Sequence, residues 1–228
     1  MKKRLRFVVA ILGVTVLLTG CAASLFAPPG PEQVDPAMTA ERLARLAWIA
    51  QPGVYRLRQT VLFEFNGSRV PIVGVMKLDY HERRARLVAM NDLGMKLFDL
   101  IVDENGEDLN SLLPDLAKIP RFGEAVAASV RRIFLAPLPD PKDTLLFGKD
   151  RYLLKRHWRD GEIRFTFGGG DTRLLETTVA VEGSDWKAEY FEYGITGDVV
   201  YPRGIILHDR LAGYRLILWI EEMEPTDE

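Results

Sequence analysis

Between residues 55 and 65 the chain alternates, with Tyr55, Leu57, Val61, Phe63 and Phe65 on one parity and Arg56, Arg58, Thr60 and Glu64 on the other. A period of two puts the apolar set on one face of a β-strand. Asn66-Gly67 is a tight-turn pair, and the return run 70–80 carries Val70, Ile72, Met76, Leu78 and Tyr80 on a single parity. Runs 85–90 and 95–102, separated by Asn91-Asp92-Leu93-Gly94, extend the pattern into an antiparallel meander.

Two segments switch to a helical period. Asp35-Pro36 reads as an N-cap with proline in the first turn, and Leu43, Leu46, Ala47 and Ile49 predict a helix over about 36–50, stopped by Pro52-Gly53. A second stripe joins Phe122, Val126, Val130, Ile133 and Phe134, and Pro137, Pro139 and Pro141 end it. Strands resume at 144–148 and 151–158 and, past Arg159-Asp160-Gly161, with Ile163, Phe165 and Phe167. Further strands follow Gly168-Gly169-Gly170 at 172–182, 185–193, 203–209 and 213–222. About ten or eleven strands and two principal helices predict a mainly β, α+β fold: a curved antiparallel sheet forming an open half-barrel with helices against it.

The N-terminus has a different character. Lys2, Lys3, Arg4 and Arg6 precede an apolar run from residue 7 to 18, the charged and apolar regions of a secretory signal. The run is too short for a permanent span, which needs roughly 20 apolar residues. Leu18-Thr19-Gly20-Cys21 resembles the lipobox of bacterial lipoproteins. That resemblance implies diacylglyceryl transfer to Cys21 and cleavage before it, so 1–20 is read as signal and 21–36, with Pro28, Pro29, Pro31 and Pro36, as a lipidated, extended tether. Residues 37–228 are read as a single domain. One acyl chain of roughly fourteen methylenes contributes on the order of 10 kcal/mol to membrane binding. In such lipoproteins the residues after the cysteine act as an address, and Ala22-Ala23 implies the periplasmic face of the outer membrane. Because Cys21 is the only cysteine, the mature chain can hold no internal disulfide.

Charge narrows the partners. The whole chain has 30 basic and 32 acidic residues, and loss of the four signal cations leaves a net charge of −6, with no basic stripe for nucleic acid. His81, His157 and His208 lie in separate segments without metal-ligand spacing. No G-x-S-x-G elbow occurs. The glycines at 168–170 are followed by Asp171-Thr172-Arg173, where a phosphate loop needs Lys-Ser/Thr. Asp103, Asn105 and Asp108 do not complete a calcium loop. The expectation is a non-enzymatic protein without metal or cofactor. The chemistry on offer is apolar strand surface, represented by Leu57, Val61, Phe63, Met76, Leu87, Phe98, Phe134, Phe165, Trp186 and Tyr190. These residues either fill a closed core or line a cavity for an acyl chain.

Residues 85–100, ARLVAMNDLGMKLFDL, resemble the strand, loop and strand of LolB-like lipoproteins of the LolA/LolB superfamily, in which an Asn-Pro-Leu-Gly type loop joins the third and fourth strands. Residues 133–139, IFLAPLP, are similar to the helix end and Gly/Pro segment that follow in that family, and 202–220 to its final hairpin. Asp92 departs from the family proline. The resemblance implies a half-barrel that holds acyl chains of a lipid or lipoprotein and assists their transfer, taking cargo from a soluble periplasmic carrier. Leu93 matches the protruding leucine that touches membrane or cargo. A monomer anchored to the membrane by lipid is expected; the alternative is a scaffolding lipoprotein with a filled barrel and a protein partner.

Overall fold

The computed structural model describes residues 25–65, 67–135 and 137–226. The expected signal segment and Cys21 lie outside the described residues, as does Asn66 of the first expected turn. Twelve strands form one antiparallel sheet: β1 (Val54–Phe65), β2 (Ser68–Asp79), β3 (Arg84–Met90), β4 (Lys96–Asp103), β5 (Glu107–Leu112), β6 (Thr144–Phe147), β7 (Arg151–Trp158), β8 (Gly161–Gly168), β9 (Arg173–Val181), β10 (Ser184–Thr196), β11 (Val199–Asp209) and β12 (Tyr214–Pro225).

Across the sheet the order is β5-β4-β3-β2-β1-β12-β11-β10-β9-β8-β7-β6. Two meanders therefore meet where the first strand pairs with the last, with Val61 opposite Leu218 and Phe63 opposite Leu216. β5 and β6 follow one another in sequence yet occupy opposite edges, so the sheet is open. The chain between them must travel from one edge to the other. It carries α2 (Pro114–Ala117), α3 (Phe122–Val130) and a wider π turn, Arg131–Leu135, across the inner face on the way.

Expected and observed elements differ in three places. β5 raises the strand count beyond the ten or eleven expected; its EDLNSL sequence exposes four of six residues at an edge, so no apolar parity marks it. The first helix, α1, covers only Ala40–Leu46. Its cap is Thr39, whose side chain accepts from the Arg42 amide, while the Asp35 carboxylate instead closes a local turn by accepting from the Ala37 amide at 2.8 Å. Ala47 adopts extended dihedrals, and the remainder is a single 3₁₀ turn, Trp48–Ala50.

Inward residues of neighbouring strands lie opposite one another in continuous rows, as in Leu57–Met76–Leu87–Leu100. They build the main core with α1, α3 and the two irregular turns. A second, smaller cluster lies on the outer face: Phe26, Ile206 and Ile217, with Leu62, Phe191 and Trp219 packed around them. The Phe26 ring stacks on Phe191 at 5.2 Å and tilts against Trp219 at 5.7 Å. The Ala27 amide donates to Glu192 Oε1 at 2.9 Å, and the Asp35 amide to the Tyr152 hydroxyl.

The described part of the expected tether is therefore docked rather than a free spacer. Proline content suggested extension; the overlooked signal was Phe26, a large apolar side chain that gains by leaving water. Its seat exists because Gly204 has no side chain: a Cβ there would lie 2.4 Å from the ring. Gly204→Val should evict Phe26 at a cost of about 1–3 kcal/mol. Hydrogen exchange at the Ala27 amide should then become fast while α1 stays protected; unchanged protection of Ala27 would contradict the seat.

Candidate functional site

The covered part of the inner face contains a cavity of about 60 Å³ between α3 and the strands β1–β4 and β12. Its walls are supplied by two periodicities. Inward positions Val61, Phe63, Ile72, Leu87, Phe98, Leu216 and Leu218 come from the strands, and Phe122, Val126, Val130, Ile133 and Phe134 from α3 and the π turn. The lining also includes small residues: α3 presents Ala125 and Ser129, and Gly74 lets Leu87 and Gln59 pack close over β2. Val61, Phe63, Ile72 and Val126 are half-buried and form the accessible end, whereas Leu87, Phe98 and Phe134 are buried and close the other.

Of the ten residues expected from sequence, Val61, Phe63, Leu87, Phe98 and Phe134 are brought together here. Leu57, Met76, Phe165, Trp186 and Tyr190 share the inner face but are packed into solid core. Trp48 meets Phe134 edge-on at 5.9 Å and Tyr190 at 5.8 Å, filling the space between α3 and the far half of the sheet. Gln51 fixes the turn that carries Trp48, exchanging hydrogen bonds with the backbone of Val200 through its Oε1 and Nε2. Trp186 lies under the Arg132 guanidinium, 5.9 Å from ring centroid to Cζ.

A polar chain pins the C-terminal end of α3. Arg132 pairs with Asp209, whose side chain is almost wholly buried, and donates to the Tyr214 hydroxyl at 3.1 Å. Tyr214 and Ser129 share a hydrogen bond of 2.7 Å, and Ser129 Oγ donates to the Ala125 carbonyl. Since each hydroxyl has one hydrogen, the order is fixed: Arg132 to Tyr214, Tyr214 to Ser129, Ser129 to Ala125. Burial raises the Tyr214 pKa, which keeps the phenol neutral and able to donate. Arg131 adds a bond of 2.7 Å to the Asp103 carbonyl and a pair with Glu107. The other end of the helix is held differently. Arg121, which precedes α3, has φ 58° and provides no side-chain cap.

One lining residue does not match the rest. Gln59 occupies an inward slot of β1, opposite Gly74, is 2% exposed, and its Oε1 has no hydrogen-bond partner. The sequence signal was present, because position 59 interrupts an otherwise apolar parity from 55 to 65. Ser129 and Tyr214 were not foreseen; neither stands out until the helix lies against β12.

Leu93 lies outside this cavity. It is 86% exposed at the tip of the β3–β4 loop, beside half-exposed Met95. Asn91 holds the tip: its side-chain oxygen accepts from the amides of Leu93 and Met95 at 3.0 and 2.9 Å. Gly94 supplies the left-handed residue, with φ 77°. The loop therefore presents an apolar side chain on a hydrogen-bonded base. Among the described residues, no group of three or more His, Cys, Asp or Glu side chains could hold a metal ion, and no helix is long and apolar enough to cross a membrane.

By sequence, no protein-family model and no curated protein matches the chain. By structure, it is similar to an outer membrane lipoprotein-sorting protein domain from Vibrio parahaemolyticus, with a TM-score of 0.56 at 10% identity over 82% of this chain and 91% of that one. A LolA superfamily protein from Nitrosomonas europaea superposes with a TM-score of 0.54 at 12% identity, covering 84% and 96%. A DUF1329 family protein from Desulfovibrio piger gives 0.54 at 8%, covering 82% and 90%. The chain has a LolA/LolB-like fold, mainly β, an open antiparallel sheet with helices on its inner face.

Proposed function

We propose that this protein is a lipid-anchored envelope protein that takes acyl chains of a lipid or lipoprotein between α3 and the inner face of the sheet and assists their transfer. The observation that carries the reading is the apolar cavity under α3, walled by Val61, Phe63, Leu87, Phe98 and Phe134. Its fold is also that of a solved domain named for outer membrane lipoprotein sorting. Transfer between two apolar environments requires no bond chemistry; its driving force is a difference in buried apolar area, at about 25 cal/mol per Å². Anchoring through Cys21 at the periplasmic face of the outer membrane would hold the domain beside donor and acceptor, with Leu93 on the loop that meets membrane or cargo.

About 60 Å³ is well below the roughly 300–1,000 Å³ that ligand pockets usually enclose. Entry of an acyl chain thus requires α3 to swing outward. The asymmetric attachment of α3 suits such a motion, because its polar bonds to the sheet concentrate at its C-terminal end, whereas at its start Arg121 pairs with Glu124 of the same helix. The small cavity also favours a second reading, in which the sheet stays filled and the protein is a scaffold for an envelope partner. The mature-length protein, residues 21–228 with Cys21→Ala, purified without detergent and analysed by mass spectrometry, should carry copurified acyl lipid at a substantial fraction of one per chain. Lipid-free protein that also takes up no added fatty acid would favour the scaffold.

A further inference from the structure

The cavity lining is hydrocarbon except at two points, and only one of those lacks a partner. The Ser129 hydroxyl is used, since it bonds both Tyr214 and the Ala125 carbonyl. Gln59 Oε1 is unused. The side chain lies over Gly74, its Cγ and Nε2 3.4 Å from where a Gly74 Cβ would stand. Its neighbours along the inner face are Leu57 and Val61 on β1, Gly74 across on β2, and Ile220 across on β12. A buried amide oxygen without a donor is costly, and an apolar residue of similar size would remove the cost. A plain hydrocarbon chain entering the cavity could not satisfy it.

We infer that Gln59 is a specificity-determining residue, which accepts a hydrogen bond from a hydroxyl or amide N–H borne by an acyl chain lying in the α3 cavity. The inference rests on the acyl-binding reading above and narrows it to chains that carry a hydrogen-bond donor. Recognition works by relief of an existing cost: a chain carrying the donor pairs an oxygen that is otherwise buried and unpaired, and a chain lacking it leaves that oxygen as it was. The donor could belong to a hydroxylated acyl chain or to an amide-linked one, and both present the same group to Oε1.

The test uses the mature-length protein, residues 21–228 with Cys21→Ala, delipidated, with a bound fluorescent fatty acid displaced by three matched probes. These are methyl tetradecanoate, which has no donor, methyl 3-hydroxytetradecanoate, and N-methyltetradecanamide. The parent protein should bind at least one of the two donor probes about tenfold more tightly than the plain ester, the ratio expected for leaving one buried acceptor unpaired. Which donor probe wins distinguishes the hydroxylated from the amide-linked source. Gln59→Leu should abolish the ratio and raise the melting temperature, and Gln59→Met serves if the leucine variant does not fold. Equal affinity of all three probes for the parent protein, or a preference that survives in both variants, would overturn the role of Gln59 while leaving acyl binding intact. Failure of every probe and of the fluorescent fatty acid to bind would overturn both.

Discussion

Phe134→Ala should lower the stability of the protein by about 3–5 kcal/mol and at the same time make it a better acyl acceptor. Phe134 is 1% exposed, closes the buried end of the cavity, and supplies the partner for the edge of Trp48. Truncation removes that contact and leaves a void continuous with the cavity, which the surrounding sheet cannot collapse to fill. Urea unfolding reads the stability loss. The same preparation should retain more copurified lipid than the parent protein, because the void is apolar and a chain entering it restores the lost contacts. A large loss of stability with no change in lipid uptake would mean that Phe134 is core only.

Asp209→Ala should cost a similar amount, about 3–5 kcal/mol, because it leaves Arg132 charged, largely buried and without its partner. The carboxylate also accepts from the Ala212 amide at 2.9 Å in the β11–β12 turn, so two donors lose their acceptor. Replacing both members, as in Arg132→Met with Asp209→Leu, should recover most of the loss, since the unpaired charge is gone. The functional consequence separates this pair from an ordinary buried salt bridge. With the C-terminal end of α3 released, exchange of a bound fluorescent fatty acid should speed up several-fold in the double variant. Unchanged exchange would show that α3 is not the element that moves.

The sheet was legible where one face is buried. Eleven of the twelve strands were expected from sequence, most plainly β1, β2 and β8, whose apolar residues share one parity, and the loop that displays Leu93 follows from Asn91 and Gly94. β5 was not legible, because an edge strand of polar residues has no buried parity to reveal. Half of the candidate cavity set reached the cavity, and the division has a physical cause: periodicity identifies the inner face but not what covers it. Trp48, from a turn that looked like the end of a helix, covers Tyr190, and the π turn brings Phe134 beside it. The region under α3 instead stays partly open, where α3 presents the small residues Ala125 and Ser129 to the sheet. Phe26 was hidden for the opposite reason. A lone aromatic among prolines carries no period, and its seat at Gly204 depends on a strand nearly 180 residues later.

Docking of Phe26 also alters the expected role of the N-terminal segment. Only five peptide links separate Cys21 from Phe26, so an anchor at Cys21 could stand no further than roughly 18 Å from the outer-face cluster. The proposed membrane attachment would then hold the domain close to the lipid surface rather than on a long leash.

The central claim is that acyl chains lie between α3 and the strands β1, β2 and β12. Photocrosslinking addresses it directly: the mature-length protein, residues 21–228 with Cys21→Ala, is irradiated with a fatty acid carrying a diazirine near its methyl end, and the adducts are mapped by peptide mass spectrometry. The account predicts adducts on the cavity walls, at Val61, Phe63, Ile72, Val126 and Leu216, competed away by unlabelled fatty acid. Adducts confined to the outer face around Phe191 and Trp219, or to the Leu93 loop, would contradict it.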